Sequence, residues 1–175
     1  MHFSTITLLF ALVATTLSAP THHAKRAHSV KRALTSKPYN DFSVSSGVAG
    51  SALAEVNANF PVGCDLSAVS ASDLAIISAA AQVSEQAEVA TGGFNDAIAA
   101  AGGKNTAAGK ELQVGKIKNK VLKLQTDVLR LQIQAAQGKT GLDAQIAQQQ
   151  KKLDTNVALD VAAKGQTSKA IDFAG

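Results

Sequence analysis

Tryptophan is missing from this chain, tyrosine occurs once as Tyr39, and all four histidines lie at or before residue 28. Past that point there is no imidazole for Ser-His-Asp or Cys-His catalysis and none for a histidine metal site. Cysteine is nearly absent too. Cys64 stands alone, so no disulfide can close within one chain. It has no histidine to activate it, and we expect a free thiol partly buried in a loop, with an intermolecular bridge as the alternative. The scarcity of aromatic platforms argues against glycoside hydrolysis. Glu85 and Glu88, one turn apart, are therefore expected on a solvated helix face. No Asn-x-Ser/Thr sequon occurs, which removes N-glycosylation. Gly103 to Glu111 imitates a phosphate loop but has five residues between its glycines, ends in Glu instead of Ser or Thr, and follows no strand. No catalytic residue, metal ligand or cofactor motif is left.

Long apolar runs are likewise absent except at the start. Phe3 to Leu17 carries no charge and is followed by the small pair Ser18-Ala19, the pattern of a secretory signal over residues 1–19. It is too short for the roughly 20 apolar residues that a spanning helix needs. Two dibasic pairs follow, Lys25-Arg26 and Lys31-Arg32, of the kind a kexin-type protease cuts. We expect residues 20–32 to be a pro-segment and residues 33–175 to form one mature domain, secreted and extracellular or bound to the cell wall.

Such a cut would remove the basic excess. The whole chain has a formal charge of +4, but residues 33–175 hold 13 Lys and Arg against 13 Asp and Glu. The high isoelectric point therefore does not signal nucleic acid. The balance hides a gradient. Residues 33–103 carry seven acids against Lys37 alone, whereas residues 104–130 carry six Lys and Arg130 against Glu111 and Asp127. An acidic half is expected to pack beside a basic helix. Leu, Ile, Val and Phe make up 35 of residues 33–175, a lean core that relies on alanine for close approach.

What is present is helical periodicity. In residues 104–138, Val114, Ile117, Val121, Leu124, Val128, Leu131 and Ala135 recur three or four apart through three heptads. Leu122, Leu129, Ile133 and Ala136 form a second apolar line beside them. Lys116, Asn119, Lys120, Lys123, Asp127, Arg130 and Gln134 occupy the opposite arc. Two apolar stripes on one helix predict the inner member of a bundle, although dimerisation through the first would satisfy the pattern as well. Lys116, Lys120 and Lys123 are candidates for contact with an anionic polymer or lipid headgroup, against the plainer reading of a solvated lysine face.

Around that helix, apolar residues every fourth position predict a helix from Asp41 to Phe60, with Gly47 and Gly50 allowing close packing. Ser70 is expected to cap a helix running to about Ala90, and residues 94–101 a short one. Gly138 and a Thr140 cap predict a turn into a last helix, its stripe carrying Leu142, Ile146, Gln150, Leu153, Val157 and Val161. Residues 166–175 form a tail that either docks or stays loose. The expected fold is all-α, a bundle of about four helices with a long C-terminal antiparallel hairpin.

Several blocks carry a resemblance: Pro38-Tyr39-Asn40-Asp41-Phe42-Ser43, Ala54-Glu55-Val56-Asn57-Ala58, the lysine-rich run from Gly115 to Leu124, Ala135-Ala136-Gln137-Gly138-Lys139 and Asn156-Val157-Ala158-Leu159-Asp160. Together they resemble a family of fungal, ascomycete-type small secreted proteins, often counted as effector candidates and without an assigned activity. The resemblance implies secretion and supplies no catalytic residues. The leading expectation is a non-enzymatic secreted helical protein that engages an unidentified protein or cell-surface partner. The alternative is a surface-active or lipid-binding helical protein at the wall or another hydrophobic interface.

Overall fold

The computed structural model describes residues 33–174; the expected signal sequence and both dibasic pairs lie outside them. The elements are α1 (Tyr39–Phe42), β1 (Gly47–Val48), α2 (Ala52–Asn59), a 3₁₀ turn (Leu66–Ala68), α3 (Ala71–Val89), α4 (Phe94–Ala100), α5 (Ala107–Ala136), α6 (Asp143–Ala162) and β2 (Thr167–Ser168). The protein is an all-α bundle organised on α5, with α5 and α6 forming the antiparallel hairpin.

α5 begins where Thr106 Oγ1 accepts a hydrogen bond from Gly109 N at 3.0 Å, and it runs 30 residues, about 45 Å at 1.5 Å per residue. Both apolar stripes are covered. Val121, Leu122 and Ile133 are fully buried, Val114, Leu124, Val128, Leu129 and Leu131 nearly so, and Ile117 is half-buried. The polar arc departs from expectation, because no residue from Glu111 to Ala135 is freely exposed. α3 lies across the lysines of that arc and α6 flanks its far end. Asn119 is completely buried, its Nδ2 donating to the Ser84 carbonyl at 2.8 Å while its Oδ1 accepts from the Tyr39 hydroxyl at 2.8 Å.

α3 starts as anticipated, with Ser70 Oγ accepting from Asp73 N at 3.1 Å. Three other expectations fail. The helix from Asp41 to Phe60 is broken into α1, β1 and α2, since Gly47 and Gly50 take φ of +88° and +114°. The chain turns there because left-handed backbone costs glycine nothing. Thr140 does not cap α6, whose N-cap residue is Leu142 with no side-chain cap bond. The α6 stripe ends on Asp160, not Val161, which is 54% exposed. Asp160 completes the 3.6-residue repeat from Leu153, and its carboxylate caps the start of α2: Oδ1 accepts from Gly50 N at 3.0 Å and Oδ2 from Ala52 N at 2.9 Å.

The tail docks. β2 pairs antiparallel with β1, Gly47 opposite Ser168 and Val48 opposite Thr167, and Ser168 Oγ donates to the Ser45 carbonyl at 2.5 Å. Beyond the ribbon, Ile171 and Phe173 pack against the core. Phe173, Tyr39, Phe42 and Phe60 form a chain of edge-to-face contacts with centroids 5.9, 5.7 and 5.6 Å apart. Among the described residues no helix is long and apolar enough to cross a membrane.

Candidate functional site

The lysines proposed as an anionic contact are already occupied. Glu88, 7% exposed on α3, sits among three of them: its Oε1 lies 3.6 Å from Lys116 Nζ and 3.3 Å from Lys120 Nζ, and its Oε2 accepts from Lys123 Nζ at 2.9 Å. Lys123 also pairs with the exposed Glu85 at 2.6 Å, and Lys116 donates to Asn95 Oδ1 at 2.6 Å. Glu88 therefore belongs to the α3–α5 seam instead of a solvated face. The charge gradient along the sequence has its physical meaning here, as acidic α3 packs on basic α5. Burial alone would raise the Glu88 pKa. The hydrogen bond from Lys123 and the charges of Lys123, Lys120 and Lys116 outweigh it, holding the carboxyl below its ordinary value. Burial would lower Lys123, but Glu85 and Glu88 hold it above the ordinary lysine value.

The sign of the pH dependence follows. A carboxyl with a depressed folded pKa contributes stability that is present above its unfolded value, near 4.5, and is lost as pH falls through the folded one. Lys123 works in the opposite sense, losing its contribution only as pH rises through a value above 10.5. Glu88→Gln is expected to cost about 1.5–3 kcal/mol at neutral pH, the scale of a hydrogen bond to a charged group. It should also flatten the fall of melting temperature on the acid side. Thermal melts of both proteins from pH 7 to pH 3 test this, and parallel curves would refute it.

Lys118, the remaining lysine of the run from Gly115 to Leu124, is the most buried of the cluster at 1% exposure. Its Nζ donates to the Ser46 carbonyl at 3.0 Å and the Val48 carbonyl at 3.2 Å, and meets Glu55 Oε2 at 2.9 Å. It anchors the β1 segment to α5 and offers nothing to a ligand. Cys64 is exposed in the loop after α2, contrary to the partly buried position expected of it, and is a free thiol. The loop follows Pro61 and carries it outward.

An open cleft of about 530 Å³ lies between residues 33–39, the end of α2, Ala174 of the tail and the face of α3 turned away from α5. Each wall is tied down. Leu34 N donates to Asp73 Oδ1 at 3.0 Å, pinning the extended lead-in to the first turn of α3. Asn59 Nδ2 donates to the Phe42 carbonyl at 2.8 Å, joining α2 to α1. The floor is apolar, with Phe42 and Phe60 from the aromatic chain and Leu34, Ile76 and Val83 partly buried around it. Helical spacing accounts for the far wall: Ile76, Ala79 and Val83 recur three and four apart on the face that α5 does not cover. Ile77, Ser84 and Ala87 are completely buried, and Ala80, at the boundary, is buried and also lines the cleft.

The cleft's polar groups suit binding more than reaction. Gln82 and Gln86 line the α3 wall, and Lys37 is the one charged side chain among the described residues that line it. The Tyr39 hydroxyl is spent on Asn119, and burial raises its pKa against the opposing effect of the nearby Ser43 and Ser45 hydroxyls. No carboxylate or thiol among the described residues lines the cleft. Sequence reasoning missed it, although the 76-79-83 spacing was there to find. A second, polar groove of about 640 Å³ lies between α3, α5 and α6. On its floor Lys123 is paired with Glu85 and Glu88, and Arg130 with Asp127 at 2.6 Å.

The family model described as "Domain of unknown function (DUF8454)" matches residues 34–172, nearly the whole described body, and the chain belongs to that family. No curated protein and no solved structure matches the chain.

Proposed function

We propose that this family member is a secreted, non-enzymatic helical protein of the fungal small secreted, effector-like kind, and that it acts by binding a partner at a host or cell surface through the α1–α2–α3 cleft. The observation that carries this reading is the cleft itself, a pocket of about 530 Å³ in the range usual for ligand sites, with tied-down walls and an apolar floor. Two further features favour it. The buried charges Lys118, Asp160 and Glu88 are spent on holding elements together. The family match begins at residue 34, just past the Lys31-Arg32 pair, so a cut there would leave the matched region whole.

The test is saturable binding of labelled protein spanning residues 33–175 to fungal wall and host-surface preparations. It is run beside Val83→Trp, which fills the cleft. The expected result is saturable retention of the parent and at least a tenfold loss in the variant, with an unchanged melting temperature. Equal retention of both proteins, or none of either, would overturn the proposal.

A further inference from the structure

Lys37 is the single Lys or Arg between residues 33 and 103, a stretch holding seven acids, and it stands at the mouth of the cleft. In a segment so acidic, the cleft is the one place where a basic group meets an apolar surface. Leu34, Ile76 and Val83 pack on the core with part of their surface still uncovered, and all three face this space. Phe42 and Phe60 close its floor, no acidic side chain among the described residues lines it, and Gln82 and Gln86 add neutral hydrogen-bonding groups on the α3 wall. We propose that the cleft binds a single-chain amphiphile bearing one carboxylate, of the fatty-acid class. Its alkyl chain lies along the Ile76–Ala79–Val83 face and its carboxylate at the Lys37 ammonium.

The proposal rests on the reading of the cleft as the binding site and names its ligand class. Covering partly exposed aliphatic surface supplies the affinity, so affinity must climb with chain length. The lysine contributes a solvent-screened ion pair, which selects the head group more than it strengthens binding.

The experiment is isothermal titration of the protein spanning residues 33–175 with octanoate, decanoate and dodecanoate below their micelle thresholds, and with decanol as the neutral control. Affinity is expected to rise about fourfold per added methylene. Lys37→Ala is expected to weaken decanoate by up to about fivefold while leaving decanol unchanged. Val83→Trp should weaken both at least tenfold. Ala79→Leu, a milder filling at an exposed position, should do the same in part and keeps the test valid if the tryptophan variant misfolds. Flat chain-length dependence, or full affinity in both filled variants, would overturn the assignment. Unchanged decanoate binding in Lys37→Ala would overturn the head-group contact. Surface retention that persists while no carboxylate binds would sink the ligand class and leave the binding role standing.

Discussion

Lys118→Met lowers the stability of the folded domain by about 3 kcal/mol, the low end of what breaking a buried ion pair costs. The substitution keeps most of the side-chain volume, so the loss is polar in origin. Glu55 has a side chain 36% exposed and can turn to water once its partner is gone. The carbonyls of Ser46 and Val48 lose the buried ammonium that donates to both of them, and the methionine that takes its place has nothing to donate, which is the expensive part. Combining Glu55→Gln with Lys118→Met should therefore recover little. The damage should also be local. Ala49 N donates to the Gln166 carbonyl and Gly165 N to the Ala49 carbonyl, both at 3.1 Å beside the ribbon, so their hydrogen exchange accelerates before that of α3. A domain of this size loses roughly 3–4 °C of melting temperature per kcal/mol, so a drop near 10 °C is expected. A change under 3 °C would mean that water replaces the ammonium without cost.

The same lysine marks the limit of what the sequence made legible. Periodicity located α3, α5 and α6 and the inner position of α5, because hydrophobic spacing is a local property that burial then uses. It did not reveal what faces what. A lysine at the edge of an apolar arc looks like a snorkelling residue until the β1 carbonyls, some seventy residues away in sequence, are folded over it. Asp160 was hidden for a similar reason. At the end of an apolar stripe Val161 is the natural choice, and only the tertiary fold brings the α2 amides to the aspartate. The break in the Asp41–Phe60 segment was written in Gly47 and Gly50, but a helix tolerates glycine for close packing, and periodicity alone could not tell packing from turning. The cleft escaped notice because the Ile76–Ala79–Val83 face is weak beside the fully buried one. Its other walls come from residues 33–39, which carry no period, and from residues 58–61, where the repeat of the Asp41–Phe60 segment runs out.

Gly115→Ala separates the docked tail from a loose one by the sign of its effect. In an isolated helix the substitution would stabilise, since glycine is worse than alanine by about 1 kcal/mol in a helix interior. Here the added Cβ would lie 2.0 Å from the Lys169 carbonyl oxygen, 2.9 Å from its carbon and 3.1 Å from the Ser45 carbonyl oxygen. All three are backbone atoms that no side-chain rotation can move. Either α5 shifts within a filled core or the tail lifts, and the tail is held by less. It would lose Lys169 N to the Glu111 carbonyl at 3.0 Å, the Ser168 hydroxyl on Ser45 and the Phe173 contact with Tyr39. At about 1 kcal/mol for each hydrogen bond, with the buried apolar surface of Ile171 and Phe173 added, that loss exceeds the helix gain. A net destabilisation of about 2–3 kcal/mol is expected. Far-UV helicity should be unchanged, the Lys169 amide should exchange faster, and trypsin should cut earlier at Lys164 and Lys169. A higher melting temperature would mean that the tail does not lie on α5 in solution.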